Sequence, residues 1–128
     1  HRDLHSFPTR RSSDLTIIEG LTNTAKTNQE EIFGPVVTLI PFNDEEDAIQ
    51  IANESDYGLS ATIWTEDKER ATRVSNQVEA GVIWVNCWLV RDLRTPFGGM
   101  KQSGMGREGG SEALRFFTEQ KNVCTSIA

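Results

Sequence analysis

One fifteen-residue segment, PFGGMKQSGMGREGG at positions 96–110, constrains the fold of this chain more than any other part of it. Six of its residues are glycine, and Lys101, Arg107 and Glu108 stand among them. Glycine reaches positive φ angles and close backbone contacts without the steric penalty that other residues meet. The segment therefore predicts a tightly folded loop around another strand, a ligand, or both.

Residues 104–109 of this segment, GMGREG, match the GxGxxG spacing of a dinucleotide-binding fingerprint. That fingerprint works only directly after a strand and at the start of a helix, where the helix N–H groups meet a pyrophosphate. Here the preceding apolar strand ends near Asn86, well before Gly104. We therefore interpret the glycines as a turn-rich connector and not as a phosphate loop.

Upstream of the segment, apolar runs alternate with helical patterns. Strands are predicted at residues 36–40, 60–64 and 82–86. A helix capped by Asn43 is predicted after the first strand, and a helix capped by Thr65 or Asp67, with Gly81 as its stop, after the second. This order predicts parallel pairing with right-handed crossovers. The expected fold class is α/β, a Rossmann-like parallel sheet with flanking helices, and the first strand is expected to be buried on both faces.

Downstream of the segment, Ser111 is predicted to cap a third helix whose buried face carries Leu114 and Phe117. The tail then alternates apolar and polar residues from Val123 to Ile127, which is typical of a half-exposed strand. Such a strand needs a partner edge.

The composition excludes several classes of partner. A net charge of −6 argues against nucleic acid, and no apolar run approaches the roughly 20 residues that span a bilayer. Residues 91–107 are locally basic, with four Lys or Arg against Asp92 alone, so this stretch could attract an anion. Cys87 and Cys124 have no metal-type spacing, which indicates a reducing compartment, the cytoplasm by default, and no metal site.

Five motifs occur in one order along the chain: EEIFGPV at 30–36, YGLSA at 57–61, VN at 85–86, PFGG at 96–99 and SGMGREGG at 103–110. In this order they resemble the C-terminal part of the NAD(P)-dependent aldehyde dehydrogenase superfamily, over about residues 16–128. The resemblance implies NAD as cofactor, a small aldehyde as substrate, and a parent enzyme that is a homo-oligomer. It also implies that the tail joins a sheet used in subunit association.

The resemblance divides the chain into three parts. Residues 16–110 are expected to be the C-terminal part of the catalytic domain, and residues 111–128 a helix with the oligomerisation strand. Residues 1–15, HRDLHSFPTRRSSDL, resemble a translated sequencing adapter, so we expect a non-native, disordered leader. A native disordered tail or targeting arm is the alternative.

By position in the resembled family, Glu31 and Phe33 hold the nicotinamide end of the cofactor. A carboxylate can accept two hydrogen bonds from a ribose diol, and an aromatic ring can pack beside the nicotinamide. The alternative is an ordinary surface acid and an ordinary anchor of the following strand.

The stretch WLVRDLRTPFGG is similar to the subgroup that acts on 2-hydroxymuconic and 2-aminomuconic semialdehydes, whose substrates carry a distal carboxylate. By this resemblance Arg91 is the carboxylate clamp, because its planar fork suits bidentate binding, and Trp88 and Phe97 are apolar walls of the pocket. Arg94 is the alternative clamp. The competing interpretation is a surface pair of Asp92 with either arginine, of little energetic value.

Cys87 stands where a strand meets a loop, but no base near it in sequence would activate it. The family's catalytic cysteine belongs to a motif that this sequence does not contain. We therefore expect no catalytic residue in this segment, a pocket-wall or packing role for Cys87, a core or interface position for Cys124, and no activity from the chain alone. The alternatives are an aldehyde dehydrogenase of other substrate range and a non-catalytic binding or oligomerisation module.

Overall fold

A computed structural model describes residues 15–127, so the predicted leader lies outside the described residues except for Leu15. The chain divides into two compact units, one ending at Ser55 and the other beginning at Asp56.

The first unit is built on a parallel pair of strands and two helices, of which the first is a single turn. Its elements are β1 (Thr16–Glu19), α1 (Lys26–Gln29), β2 (Val36–Leu39) and α2 (Glu45–Asn53). β1 and β2 pair in register from Thr16 opposite Val36 to Glu19 opposite Leu39. Side chains alternate along a strand, and in β2 the residues of one face are half-buried while those of the other are exposed. The prediction of burial on both faces is therefore wrong for the described residues.

α2 begins one residue later than the sequence predicts. Asp44, not Asn43, is the N-cap, and its carboxylate accepts a hydrogen bond of 2.9 Å from the Asp47 N–H. The Asp47 carboxylate in turn accepts from the Asn43 N–H at 2.9 Å. Acidic side chains fill the first turn, where the helix dipole favours them.

The second unit contains the predicted strand–helix–strand motif. Its elements are β3 (Tyr57–Gly58), β4 (Ser60–Ile63), α3 (Lys68–Gln77), β5 (Val82–Val85), β6 (Met100–Lys101) and α4 (Gly110–Phe117). β4 and β5 pair in parallel, as predicted, and β3 pairs antiparallel with β6. The buried hydrophobic residues of this unit are Ala80 and Trp84.

Asp67 caps α3, which confirms one of the two predicted caps. Its carboxylate accepts from the N–H groups of Arg70 at 3.0 Å and Glu69 at 2.9 Å, and these bonds lower the pKa of Asp67. The stabilisation by this cap is therefore complete above the ordinary carboxyl pKa and is lost as the pH falls through the lowered value. Gly81 does not stop the helix: α3 ends at Gln77 because Val78 is already extended.

The C-terminal part differs most from the sequence predictions. Gly109, with φ 89°, and not Ser111, is the N-cap of α4, and both Leu114 and Phe117 are exposed. Residues 118–127 contain neither strand nor helix, and the predicted tail strand, which needs a partner edge, stays a prediction. No strand edge in residues 15–127 pairs with this tail, and an isolated strand has no hydrogen-bond partners.

Helices and parallel strands together confirm the α/β class. The described strands form three two-stranded sheets, so the continuous Rossmann-like sheet stays a prediction. No helix within residues 15–127 has the length and apolar character needed to cross a membrane. The same residues contain no cluster of three or more His, Cys, Asp or Glu side chains that could hold a metal ion.

Candidate functional site

The loop that follows β5 is tightly folded and held from both ends. Asn86 and Leu89 have positive φ angles of 52° and 56°, which are uncommon for residues other than glycine. The Asn86 side chain bonds both backbone groups of Thr65, accepting at 2.9 Å and donating at 2.8 Å. At the other end, the buried Trp84 donates its indole N–H to the Val90 carbonyl at 2.8 Å. These bonds fix the loop just before Arg91.

Arg91 lies against two residues of the glycine-rich segment. Its Cζ atom is 4.2 Å from the centroid of the Phe97 ring, within the range of a cation–π contact. Its Nη2 atom lies 2.6 Å from Oε1 of Glu108. About a third of the Arg91 side chain is exposed, at 35%. The structure therefore brings together two of the predicted substrate residues, Arg91 and Phe97, and adds Glu108 to them.

The glycine-rich segment folds back on itself, as its composition predicts. Phe97 and Glu108 form an antiparallel bridge in which each N–H donates to the other's carbonyl at 2.8 Å. Inside this bridge, the Arg107 guanidinium donates to the carbonyl of Gly99 at 2.9 Å and to that of Gly106 at 2.7 Å. The Arg107 side chain thus gives hydrogen-bond partners to two carbonyl groups that the tight turn keeps out of a regular strand pairing.

Arg94 is engaged within its own turn. Its Nε atom donates to both oxygens of Asp92, at 2.9 and 3.1 Å, and its Nη2 atom also contacts that carboxylate. The Arg94 guanidinium lowers the pKa of Asp92, and the carboxylate raises the pKa of Arg94. The expected surface pair thus exists for Arg94, whereas Arg91 pairs with Glu108 instead.

Trp88 is exposed, and among the described residues it makes no ring or cation–π contact with Phe97 or Arg91. The nearest groove, of about 350 Å³, includes Phe97 and Glu108 in its wall but neither Arg91 nor Trp88. Its other lining residues come from the glycine-rich segment, Leu59 and the end of α4. We therefore do not assign this groove as the substrate pocket.

Glu31 and Phe33 lie in the first unit, in a shallow depression of about 240 Å³ before β2. Phe33 has a φ angle of 52° and its side chain is 93% exposed, so both faces of the ring are accessible. Glu31 is also exposed, and its carboxylate has no hydrogen bond or ion pair to any residue between 15 and 127. A free carboxylate beside an accessible ring fits the ribose and nicotinamide of a dinucleotide.

Both cysteines are free thiols. Cys87 is half-buried in the loop after β5, consistent with a packing role. Cys124 is exposed, so its predicted core position is wrong, and the interface alternative stays a prediction. Both histidines lie outside the described residues.

The sequence analysis did not predict that Trp84 and Glu108 hold the segment that carries Arg91. Glu108 is 17 residues from Arg91, and no local pattern pairs residues at that separation. A weak signal existed, since Glu108 is the acidic residue that directly follows the locally basic stretch 91–107.

We expect Trp84→Phe to lower the free energy of unfolding by about 1–3 kcal/mol, from the lost hydrogen bond to Val90 and the smaller ring in a buried site. Urea unfolding of the chain followed by far-UV circular dichroism measures this. Trp64→Phe is the matched control, because Trp64 is 69% exposed. Equal effects of both substitutions would show that the indole bond does not hold the loop.

The chain thus combines an α/β architecture with a glycine-rich connector and an arginine-bearing loop. Residues 11–123 match the aldehyde dehydrogenase family, and the chain belongs to that family.

Two curated relatives and one solved structure illustrate the similarity. The chain is 56% identical to 2-hydroxymuconic semialdehyde dehydrogenase of Pseudomonas sp. strain CF600, over 88% of this chain and 23% of the relative. It is 56% identical to 2-aminomuconic semialdehyde dehydrogenase of Danio rerio, over 84% of this chain and 22% of the relative. The Mycobacterium tuberculosis aldehyde dehydrogenase complexed with NAD⁺ matches with a TM-score of 0.79 and 46% identity, over 84% of this chain and 22% of that one. The chain thus spans about a quarter of the length of these proteins.

Proposed function

We propose that this chain is part of an NAD-dependent dehydrogenase that oxidises a carboxylate-bearing semialdehyde, of the 2-hydroxymuconic or 2-aminomuconic type, to the corresponding acid. The main support is that the Arg91 guanidinium lies over the Phe97 ring and is partly exposed. The chain is also similar to enzymes named for these substrates. The overall change is aldehyde, water and NAD⁺ to acid, NADH and a proton.

The clamp role falls to Arg91 and not to Arg94 for a geometric reason. Arg94 already turns its Nε and Nη2 edge to Asp92, so its bidentate edge is occupied. Arg91 contacts Glu108 through Nη2 alone and keeps further N–H donors for a ligand. The stacked ring also keeps the guanidinium plane fixed, which favours planar recognition of a carboxylate.

Phe97 would contact the conjugated carbon chain of the substrate, and Trp88 would form a second wall of the pocket. Trp88 is exposed in the described chain, so this role requires that further residues of the longer enzyme close the pocket around it.

Glu31 and Phe33 would hold the nicotinamide half of the cofactor. NAD, when bound, accepts the hydride from the aldehyde carbon. The Glu31 carboxylate would accept hydrogen bonds from the ribose hydroxyls, and the Phe33 ring would pack beside the nicotinamide. The NAD⁺ complexes among the similar structures support NAD, and the test below includes NADP⁺ as the alternative.

The parent enzyme would act in the cytoplasm as a homo-oligomer. Two free thiols fit a reducing compartment. The exposed apolar residues of the tail, Val123 and Ile127, would become covered if the tail paired with a strand edge of another subunit.

The test is a chimera in which the matching segment of the Pseudomonas sp. strain CF600 enzyme is replaced by residues 16–127. With NAD⁺ we expect the chimera to oxidise 2-hydroxymuconic semialdehyde. Its kcat/KM should be at least about thirtyfold above that for 2,4-hexadienal, which lacks the carboxylate, because a charge-assisted contact with the carboxylate stabilises binding by about that factor. The 128-residue chain alone should show no turnover, since we assign it no catalytic nucleophile.

The outcomes separate the alternatives. Comparable rates on both aldehydes would reduce the assignment to an aldehyde dehydrogenase of other substrate range. A folded chimera without activity, beside an active parent, would favour the non-catalytic module. A preference for NADP⁺ would correct the cofactor alone.

A further inference from the structure

We propose that Glu108 is a positioning residue that orients the Arg91 guanidinium and thereby sets the preference for substrates with a distal carboxylate. This inference rests on the proposed function, because it assumes that Arg91 is the clamp.

The proposal rests on two contacts of the Arg91 guanidinium, one on its face and one at its edge. The Phe97 ring supports its face at 4.2 Å, and Oε1 of Glu108 holds its edge at 2.6 Å from Nη2. Phe97 and Glu108 are themselves joined by two backbone hydrogen bonds of 2.8 Å. The two supporting side chains therefore come from a single rigid bridge.

A long arginine side chain loses considerable rotamer freedom when it binds a ligand in one geometry. A side chain that is already held in the free enzyme loses less of that freedom on binding. Glu108 contacts one terminal nitrogen, so donors remain on the rest of the fork for a substrate carboxylate. The expected benefit is about three- to tenfold in substrate binding, the typical value of pre-ordering one flexible side chain.

Competition between Glu108 and the substrate for Arg91 would change substrate binding in the opposite direction. If its carboxylate competed with the substrate carboxylate for Arg91, removing its charge would strengthen substrate binding. The direction of the change therefore decides between positioning and competition.

The experiment is a double-mutant cycle in the chimera with Glu108→Gln, Arg91→Ala and the combined variant. The measured quantity is the ratio of kcat/KM for 2-hydroxymuconic semialdehyde to that for 2,4-hexadienal, so any effect common to both aldehydes cancels. We expect Glu108→Gln to lower this ratio about three- to tenfold, through KM for the semialdehyde. In the Arg91→Ala background the same substitution should leave the ratio unchanged.

Glu79→Gln is the matched control, because it alters another ion pair of the same unit, that of Glu79 with Lys101 at 2.7 Å, and should not change the ratio. A rise in the ratio on Glu108→Gln would overturn the proposal in favour of competition. An unchanged ratio would leave Glu108 only a role in the bridge. An equal fall in the Arg91→Ala background would mean that Glu108 acts without Arg91. If Arg91→Ala does not change the ratio, Arg91 is not the clamp and the proposed function itself fails.

Discussion

Arg91→Ala in the chimera is expected to lower kcat/KM for 2-hydroxymuconic semialdehyde about thirty- to 150-fold relative to 2,4-hexadienal. Only the anionic aldehyde loses a charge-assisted bidentate contact, which in a partly closed pocket has a value of about 2–3 kcal/mol. Steady-state kinetics on both aldehydes measures the ratio. Arg91→Lys should recover part of the loss, because an ammonium keeps the charge but not the planar fork.

Arg94→Ala is the matched control for this prediction. Arg94 is paired with Asp92 in its own turn and is highly exposed, so its removal should leave the substrate ratio unchanged. If Arg94→Ala gave the selective loss, the clamp would be Arg94. Equal losses on both aldehydes after Arg91→Ala would mean that Arg91 stabilises the glycine-rich segment through Phe97 and Glu108, and the substrate would become an unspecified aldehyde.

Local sequence patterns predicted the β4–α3–β5 motif well, because each of its parts is determined within a few residues. The apolar runs set the strands, and Asp67 sets the helix start through bonds to N–H groups two and three residues away. The family resemblance, carried by motifs quoted residue by residue, predicted the aldehyde dehydrogenase family correctly.

The failures involve residues whose environment is set by distant parts of the chain. Leu114 and Phe117 have helical spacing, yet α4 exposes them because nothing among the described residues covers that face. The tail has the alternation of a strand, but residues 15–127 offer it no partner edge, so its pairing stays a prediction. Glu108 reaches Arg91 only because the glycine-rich segment folds back onto Phe97, which spacing alone does not reveal.

The environment of Gly81 is also set by a distant part of the chain, the glycine-rich segment. Its position after the second predicted helix indicated a helix stop, whereas in the structure Gly81 lies where two backbone segments meet. A Cβ atom at this position would overlap the carbonyl oxygen of Gly98 and lie 3.2 Å from Cα of Gly99. On its other side, the Gly81 N–H is bound to the Gly58 carbonyl at 3.0 Å, so the backbone cannot easily retreat.

Gly81→Ala is therefore expected to destabilise the protein by about 3 kcal/mol or more, because backbone atoms, unlike a flexible side chain, cannot rotate away from the added methyl group. Thermal unfolding of the chimera measures the loss. Gly34→Ala is the matched control: its new Cβ would meet only Cγ2 of Ile32, at 3.9 Å, so we expect a change within about 0.5 kcal/mol.

Since the displaced Gly98 directly follows Phe97, Gly81→Ala should also weaken the support of Arg91 and lower the preference for the anionic aldehyde. Equal melting temperatures for the two variants would mean that the glycine-rich segment does not pack against Gly81 in the folded enzyme.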